Sequence, residues 1–234
     1  MSFNSFFKSF APQKSATSLA EKVRSGIAGG VAIMLLAWVL YVSPQHDYPL
    51  LLLASIAAST VLLFAAPHSP FAQPWNLVGG HLFSALAGWT CSLLIPDQVM
   101  AAGMAVGIAI FLMHFLNCLH PPGAATALTL VLAAGQFHEM GWPWVALIVI
   151  ANTLISLSLA LAINNLLPGR HYPARPASPI PSKPEPSVIP EQADIQWALE
   201  QMDSLIDVSA EDLSLIYDKA QAHAQTRLDS ELKS

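Results

Sequence analysis

Between Ser25 and Gly169 the chain has no lysine and no arginine, and its only carboxylates there are Asp47, Asp97 and Glu139. A water-soluble domain of that length needs a surface rich in charge, so the absence excludes a soluble fold for this stretch. Cysteine is almost as scarce. Cys91 and Cys118 are the 2 in the chain, both in apolar surroundings, and they read as buried free thiols rather than a disulfide framework. No HExxH motif and no Cys/His cluster at zinc spacing occurs, so neither a metal site nor another cofactor is expected. No Ser-His-Asp or Cys-His-Asn order carries a local signature, which leaves an enzyme without support. The net charge of −5 and the lack of a basic patch remove nucleic acid as a partner.

What remains is apolar. The chain is 54% hydrophobic and 11% charged, against about 25% charged for soluble domains. Apolar windows at 25–43, 49–66, 76–95, 98–118, 122–137 and 143–167 predict an all-α, polytopic membrane bundle of about six spans within a membrane domain, 25–169. The fifth window is short. About 16 helical residues rise only ~24 Å, so a crossing and a re-entrant half-helix both stay open. Lys8, Lys14, Lys22 and Arg24 precede the first window, while Arg170, Arg175 and Lys183 follow the last. The positive-inside rule then puts the N-terminal segment 1–24 and the C-terminal end in the cytoplasm, which requires an even number of crossings. The first window is long for a signal-peptide core and no small-residue cleavage site follows, so it reads as a retained span. Trp38, Tyr41, Trp142 and Trp144 fall near the outer boundaries, as interfacial anchors do.

The run Asn117-Cys118-Leu119-His120-Pro121-Pro122-Gly123-Ala124 joins two apolar segments. Proline cannot continue the helix before it, yet it suits the first turn of the next one. The run therefore predicts a helix stop and a helix start with His120 at the joint. Ala66-Pro67-His68-Ser69-Pro70 ends span two in a similar way, so spans two–three and four–five read as two copies of one hairpin. A helix start exposes backbone N–H groups and the positive end of its dipole, an anion site without a cationic side chain. Imidazoles add further donors. The expected substrate pathway comprises His120, Pro121, Pro122, Gly123, His68, His81, Asn76 and Asn117. Bland readings stand beside it: a membrane-surface turn for Pro121-Pro122, and an interhelical hydrogen bond for His81. His114 lies six residues before His120, off its helical face, so the two make no metal pair. Gly26/Gly30, Gly103/Gly107 and the stripe Gly80, Ser84, Gly88 fit close helix packing, within the bundle or in a homo-oligomer. Asn152, Thr153, Ser156, Ser158, Asn164 and Asn165 fit interhelical hydrogen bonds on the last span.

With these residues in hand, the chain resembles the HPP family of integral membrane proteins over about Val23 to Leu167. The likeness rests on Ala65-Ala66-Pro67-His68-Ser69-Pro70-Phe71-Ala72-Gln73-Pro74-Trp75-Asn76, on Gly79-Gly80-His81 and on His120-Pro121-Pro122-Gly123-Ala124. The first stretch is similar to the family's P-x-SP-LAQP segment, with Phe71 where leucine is frequent. Trp75 stands where some members carry arginine, which removes a cationic anion ligand. The resemblance implies a bacterial inner-membrane protein that passes nitrite or a similar small anion, since plastid and cyanobacterial members are implicated in nitrite transport. The family is usually described with four transmembrane helices, against the six apolar windows here.

Beyond the last span, the prolines between Pro173 and Pro190 predict an extended linker over 170–192. A small helical cytoplasmic tail over 193–234 follows, with one helix near Ala193–Asp207 and another capped by Ser209. In many bacterial relatives a similar segment leads into paired CBS domains, and this sequence stops before any such module. The tail supports an alternative to transport: a membrane scaffold or sensor whose tail recruits a partner.

Overall fold

The computed structural model describes residues 17–43, 53–174 and 217. The chain divides into two compact units, Met1–Glu21 with Pro181–Ser234, and Lys22–Ile180. The expected tail helices, Ser209 as a cap and most of the linker lie outside the described residues, as do His46 and Asp47.

Every described element is helical. In order they are α1 (Leu19–Val42), α2 (Ala54–Ala65), a 3₁₀ turn (Pro70–Ala72), α3 (Pro74–Leu94), α4 (Gln98–Phe115), α5 (Pro121–Leu132), α6 (Ala134–Met140) and α7 (Trp142–Leu166). Each apolar window holds one helix, and α6 continues the fifth. By length and composition, α1, α3, α4 and α7 are long and apolar enough to cross a membrane. Helices α2 and α5 have 12 residues each. Such helices rise ~18 Å, well short of a hydrocarbon core of ~30 Å. The second window is cut because Leu53 is extended (φ −78°, ψ 129°), with its N–H donating to Asn152 Oδ1 of α7 at 3.1 Å. The fifth window runs past 137 to Met140, but breaks at Ala133 (φ −106°, ψ 27°).

The helix ends follow local chemistry. Proline occupies the first turn of α3, α5 and α7, where a missing N–H costs nothing. Asp97 caps α4 by accepting from Met100 N–H at 2.7 Å. At the other end of α4, Asn117 adopts φ 52° and Cys118 N–H reaches Met113 O at 2.8 Å, a left-handed stop.

Helix α3 packs against α4, α5 and α7, and α2 packs against α5 and α7. The stripe Gly80, Ser84, Gly88 faces α5. A Cβ on Gly123 would sit 2.6 Å from Gly80 O, and one on Gly88 would sit 2.8 Å from Ala127 Cα. The two backbones are therefore in direct contact, an approach that in lipid replaces hydrophobic driving force with van der Waals fit. By contrast, a Cβ on Gly26, Gly30, Gly103 or Gly107 would meet nothing within 4 Å, so these pairs do not pack against another described element. The two hairpins expected to be copies also differ in form. Their helices have 12 and 21 residues in one and 18 and 12 in the other.

Trp89 stacks edge-on against His138 at 5.1 Å and lies 5.5 Å from Trp142, while Ser92 Oγ is 2.9 Å from His138 Nε2. His138 thus ties α6 to α3, and Trp142 brings the start of α7 to the same indole. After α7, the first residues of the expected linker are not loose but docked. Arg170 donates to Asn164 Oδ1 and Ser25 Oγ, Tyr172 and Asn165 exchange two hydrogen bonds, and Ala174 N–H donates to Gln73 Oε1 at 2.9 Å. The buried Tyr172 hydroxyl donates to Ala72 O at 2.7 Å, and burial pushes its phenol pKa up. Tyr172→Phe removes this bond from a buried carbonyl and is expected to cost about 1 kcal/mol, read as a lower midpoint of thermal unfolding in detergent.

Candidate functional site

Inside the bundle, three helices bring five polar side chains together. Helix α2 supplies Ser55 and Ser59, one turn apart on one face; α3 supplies His81 near its middle; α5 supplies Thr126, with His120 as its N-cap residue. All five are buried, and Ser59, His81 and His120 fully so.

Ser59 bridges the two imidazoles. Its Oγ lies 2.9 Å from His81 Nε2 and 2.8 Å from His120 Nε2, and the rings are 5.1 Å apart, tilted by 61°. Beyond Ser59 the chain extends in both directions. His120 Nδ1 is 2.7 Å from Phe71 O in the 3₁₀ turn. His81 Nδ1 is 2.7 Å from Thr126 Oγ1, which lies 2.8 Å from Ser55 Oγ. Ser55 O, 3.2 Å from Ser59 Oγ, is a longer alternative for that hydroxyl.

One end of this chain fixes the rest. Phe71 O can only accept, so His120 Nδ1 carries a hydrogen. With a neutral ring its Nε2 must then accept, and Ser59 O–H is the donor. Ser59 Oγ is left to accept from His81, which places a hydrogen on His81 Nε2 and makes Nδ1 the acceptor for Thr126 O–H, turned to it from Ser55 Oγ, the hydroxyl's other acceptor. This is the neutral arrangement in which both imidazoles use both nitrogens. Buried polar groups are tolerated in lipid when satisfied in this way. Helices α2, α3, α5 and α7, which surround the network, contain no Asp, Glu, Lys or Arg.

The expected pathway residues separate. His120 and His81 meet in the network. Gly123 lies against Gly80 and Ser84 and sets the α3–α5 distance. Asn76 reaches the same junction, donating to Leu119 O at 2.9 Å, and Trp75 beside it donates to Leu116 O at 3.1 Å. At the position where some family members carry arginine, this indole ties α3 to the end of α4. His68 and Asn117 are exposed and outside the network; Asn117 terminates α4. Pro121 and Pro122 open α5, but that helix start offers few donors. The prolines have no N–H, and Gly123 N–H donates to His120 O at 2.8 Å. The donors are side chains instead. Sequence reasoning missed Ser55, Ser59 and Thr126; the i, i+4 spacing of the two serines on an apolar helix was the available signal. Among the described residues, no group of three or more His, Cys, Asp or Glu side chains is placed to hold a metal ion. Cys118, against Gly79, is a buried free thiol.

Residues 14–173 match the family described as HPP, transmembrane region. Two proteins of Dictyostelium discoideum, each named as a transmembrane protein, are similar. One is 39% identical over 153 residues, 64% of this chain and 49% of its own length. The other is 36% identical over 151 residues, 63% of this chain and 53% of its own length. The chain spans about half the length of these curated relatives. No solved structure matches it.

Proposed function

The chain belongs to the HPP transmembrane family, and from that premise we propose that it passes a small inorganic anion across the membrane, nitrite being the substrate that fits best. One observation carries the reading. A cluster of imidazole and hydroxyl groups is buried where two helices too short to cross the bilayer meet. Short or broken helices that meet inside a membrane domain are where transporters build their sites. Polar groups inside a span are costly and point to function.

The chemistry suits a small monovalent anion. N–H and O–H donors compensate negative charge without a permanent cation, and a site must bind weakly enough to release. Nitrite is flat and accepts through two oxygens, which matches two imidazole edges bridged by one hydroxyl. The family resemblance to nitrite-implicated plastid members favours the same ion. In the described state the cluster is closed, with its side chains bonded to one another. The basic residues flanking the membrane domain support cytoplasmic ends in a bacterial inner membrane. We assign no enzymatic activity.

The test is nitrite uptake into proteoliposomes carrying the full-length chain. Initial uptake is expected to exceed that of empty liposomes made from the same lipid. Equal rates with protein in both orientations, over a range of pH, would sink the transport reading. That outcome would leave the scaffold reading.

A further inference from the structure

We infer that the anion crosses together with a proton, which the Ser59 hydroxyl passes between His81 and His120. This inference rests on the anion reading above and adds the coupling ion to it.

The first ground is electrostatic. An uncompensated ion in a dry interior costs far more than any single hydrogen bond returns. Helices α2, α3, α5 and α7 hold no lysine or arginine to compensate it. The titratable and charged groups on the surrounding elements are few. Cys91 sits farther along α3, Cys118 lies in the loop before His120, His68 and His114 are exposed, the Tyr172 hydroxyl is bonded to Ala72 O, and Arg170 is bonded to Asn164 and Ser25. None of these supplies a fixed positive charge within the network. The groups there that can become cationic are the two imidazoles themselves.

The second ground is geometric. The same heavy-atom positions satisfy three protonation states. In the neutral state, hydrogens run from Thr126 to His81, from His81 to Ser59, from Ser59 to His120 and from His120 to Phe71 O. If His81 gains a proton at Nδ1, the Thr126 hydroxyl rotates, accepts from Nδ1 and donates to Ser55 Oγ, 2.8 Å away. All other bonds stay as they were. The next step moves two hydrogens. The His81 Nε2–H bond breaks as an O–H bond forms at Ser59, while the original Ser59 O–H bond breaks as an N–H bond forms at His120 Nε2. His81 is then neutral with its hydrogen on Nδ1, and His120 is the imidazolium, donating to Phe71 O and to Ser59. The separations of 2.9 and 2.8 Å are those of ordinary strong hydrogen bonds, so neither ring has to travel.

The proton enters from water on one side. It is given up from His120 Nδ1, which faces Phe71 O of the 3₁₀ turn; His120 is fully buried, so release requires that turn to open to water. Rotation of the rings and hydroxyls restores the starting state. An anion beside the pair would neutralise the imidazolium, and the two would cross as an uncharged unit.

The experiment uses full-length protein in liposomes, nitrite as the probe and a lumenal pH dye. Empty liposomes correct for permeation of nitrous acid. Coupling predicts that an outside-acid gradient accelerates nitrite uptake, that uptake acidifies the lumen one proton per nitrite, and that a potassium–valinomycin potential at equal pH leaves the rate unchanged. Ser59→Ala is expected to lose the gradient-driven component, and Ser59→Thr, which keeps the hydroxyl, to retain it. Uptake that follows the membrane potential and ignores the pH gradient would overturn the coupling while preserving the anion reading. So would Ser59→Ala transporting at the wild-type, gradient-driven rate. No uptake above empty liposomes under either driving force would overturn the anion reading, and the coupling with it. Should Ser59→Ala fail to fold, the gradient and potential arms on the wild-type chain decide the question alone.

Discussion

Gly88→Ala destabilises the bundle by about 3 kcal/mol, at the upper end of what overpacking costs, whereas Gly103→Ala does not destabilise it. The new Cβ at position 88 would fall on the backbone of Ala127, against its carbonyl oxygen and 2.8 Å from its Cα. Neither neighbour is the far end of a flexible side chain, so relief requires α3 and α5 to separate. That separation is costly twice over. It opens the contact between Gly80 and Gly123 farther along the same seam, and it pulls His81 on α3 away from Thr126 on α5. At Gly103 a Cβ would meet nothing within 4 Å, and alanine is the better helix former. Thermal unfolding of the two variants in detergent, followed by far-UV circular dichroism, separates them. Equal midpoints would show that the α3–α5 seam is looser than the backbone contacts imply.

His81→Leu keeps the fold but reduces nitrite uptake to that of empty liposomes. Leucine fills much of the same volume in the middle of a long helix, away from any turn. Ser59 keeps His120 and Ser55 O as partners, and Thr126 keeps Ser55 Oγ. The loss of stability should therefore stay near 1 kcal/mol, a typical figure for a buried hydrogen bond or an interhelical contact in lipid. Transport suffers more, because the chain of donors loses its middle. His120→Ala is a poorer probe. It removes the partner of Phe71 O and leaves a void at the joint before α5, so structural and functional losses mix. Measuring His81→Leu by both thermal unfolding and uptake tells the two roles apart. A stable variant with wild-type uptake would make the network a packing device.

Much of this was legible in the sequence. The absence of basic residues from Ser25 to Gly169 places the chain in a membrane, and each apolar window holds a helix. Proline in the first turn of α3, α5 and α7 marks where those helices begin. The stripe Gly80, Ser84, Gly88 marks a packing face, and His81 and His120 stand out as polar groups among apolar ones. The rest depends on tertiary geometry. The start of α2 was hidden because Leu53 is as apolar as the helix it precedes, and what holds it extended is Asn152, distant in sequence. Ser59 looks like any serine bonded to its own helix, and indeed reaches Ser55 O. Its bridging role exists only because α3 and α5 bring their imidazoles to it. Asn117 and His68 sit in motifs that look functional, yet the first ends a helix and the second is exposed.

The docked segment after α7 has a mechanical consequence. Phe71 and Ala72 are adjacent residues of one 3₁₀ turn. The carbonyl of the first holds His120, and the carbonyl of the second holds the Tyr172 hydroxyl. The buried imidazole and the strap thus hold the carbonyls of two successive peptide units, which share Ala72 Cα as their link. Tension along the chain leaving α7 reaches the interior of the bundle through that link, as a tie rod transmits load, without any helix having to bend.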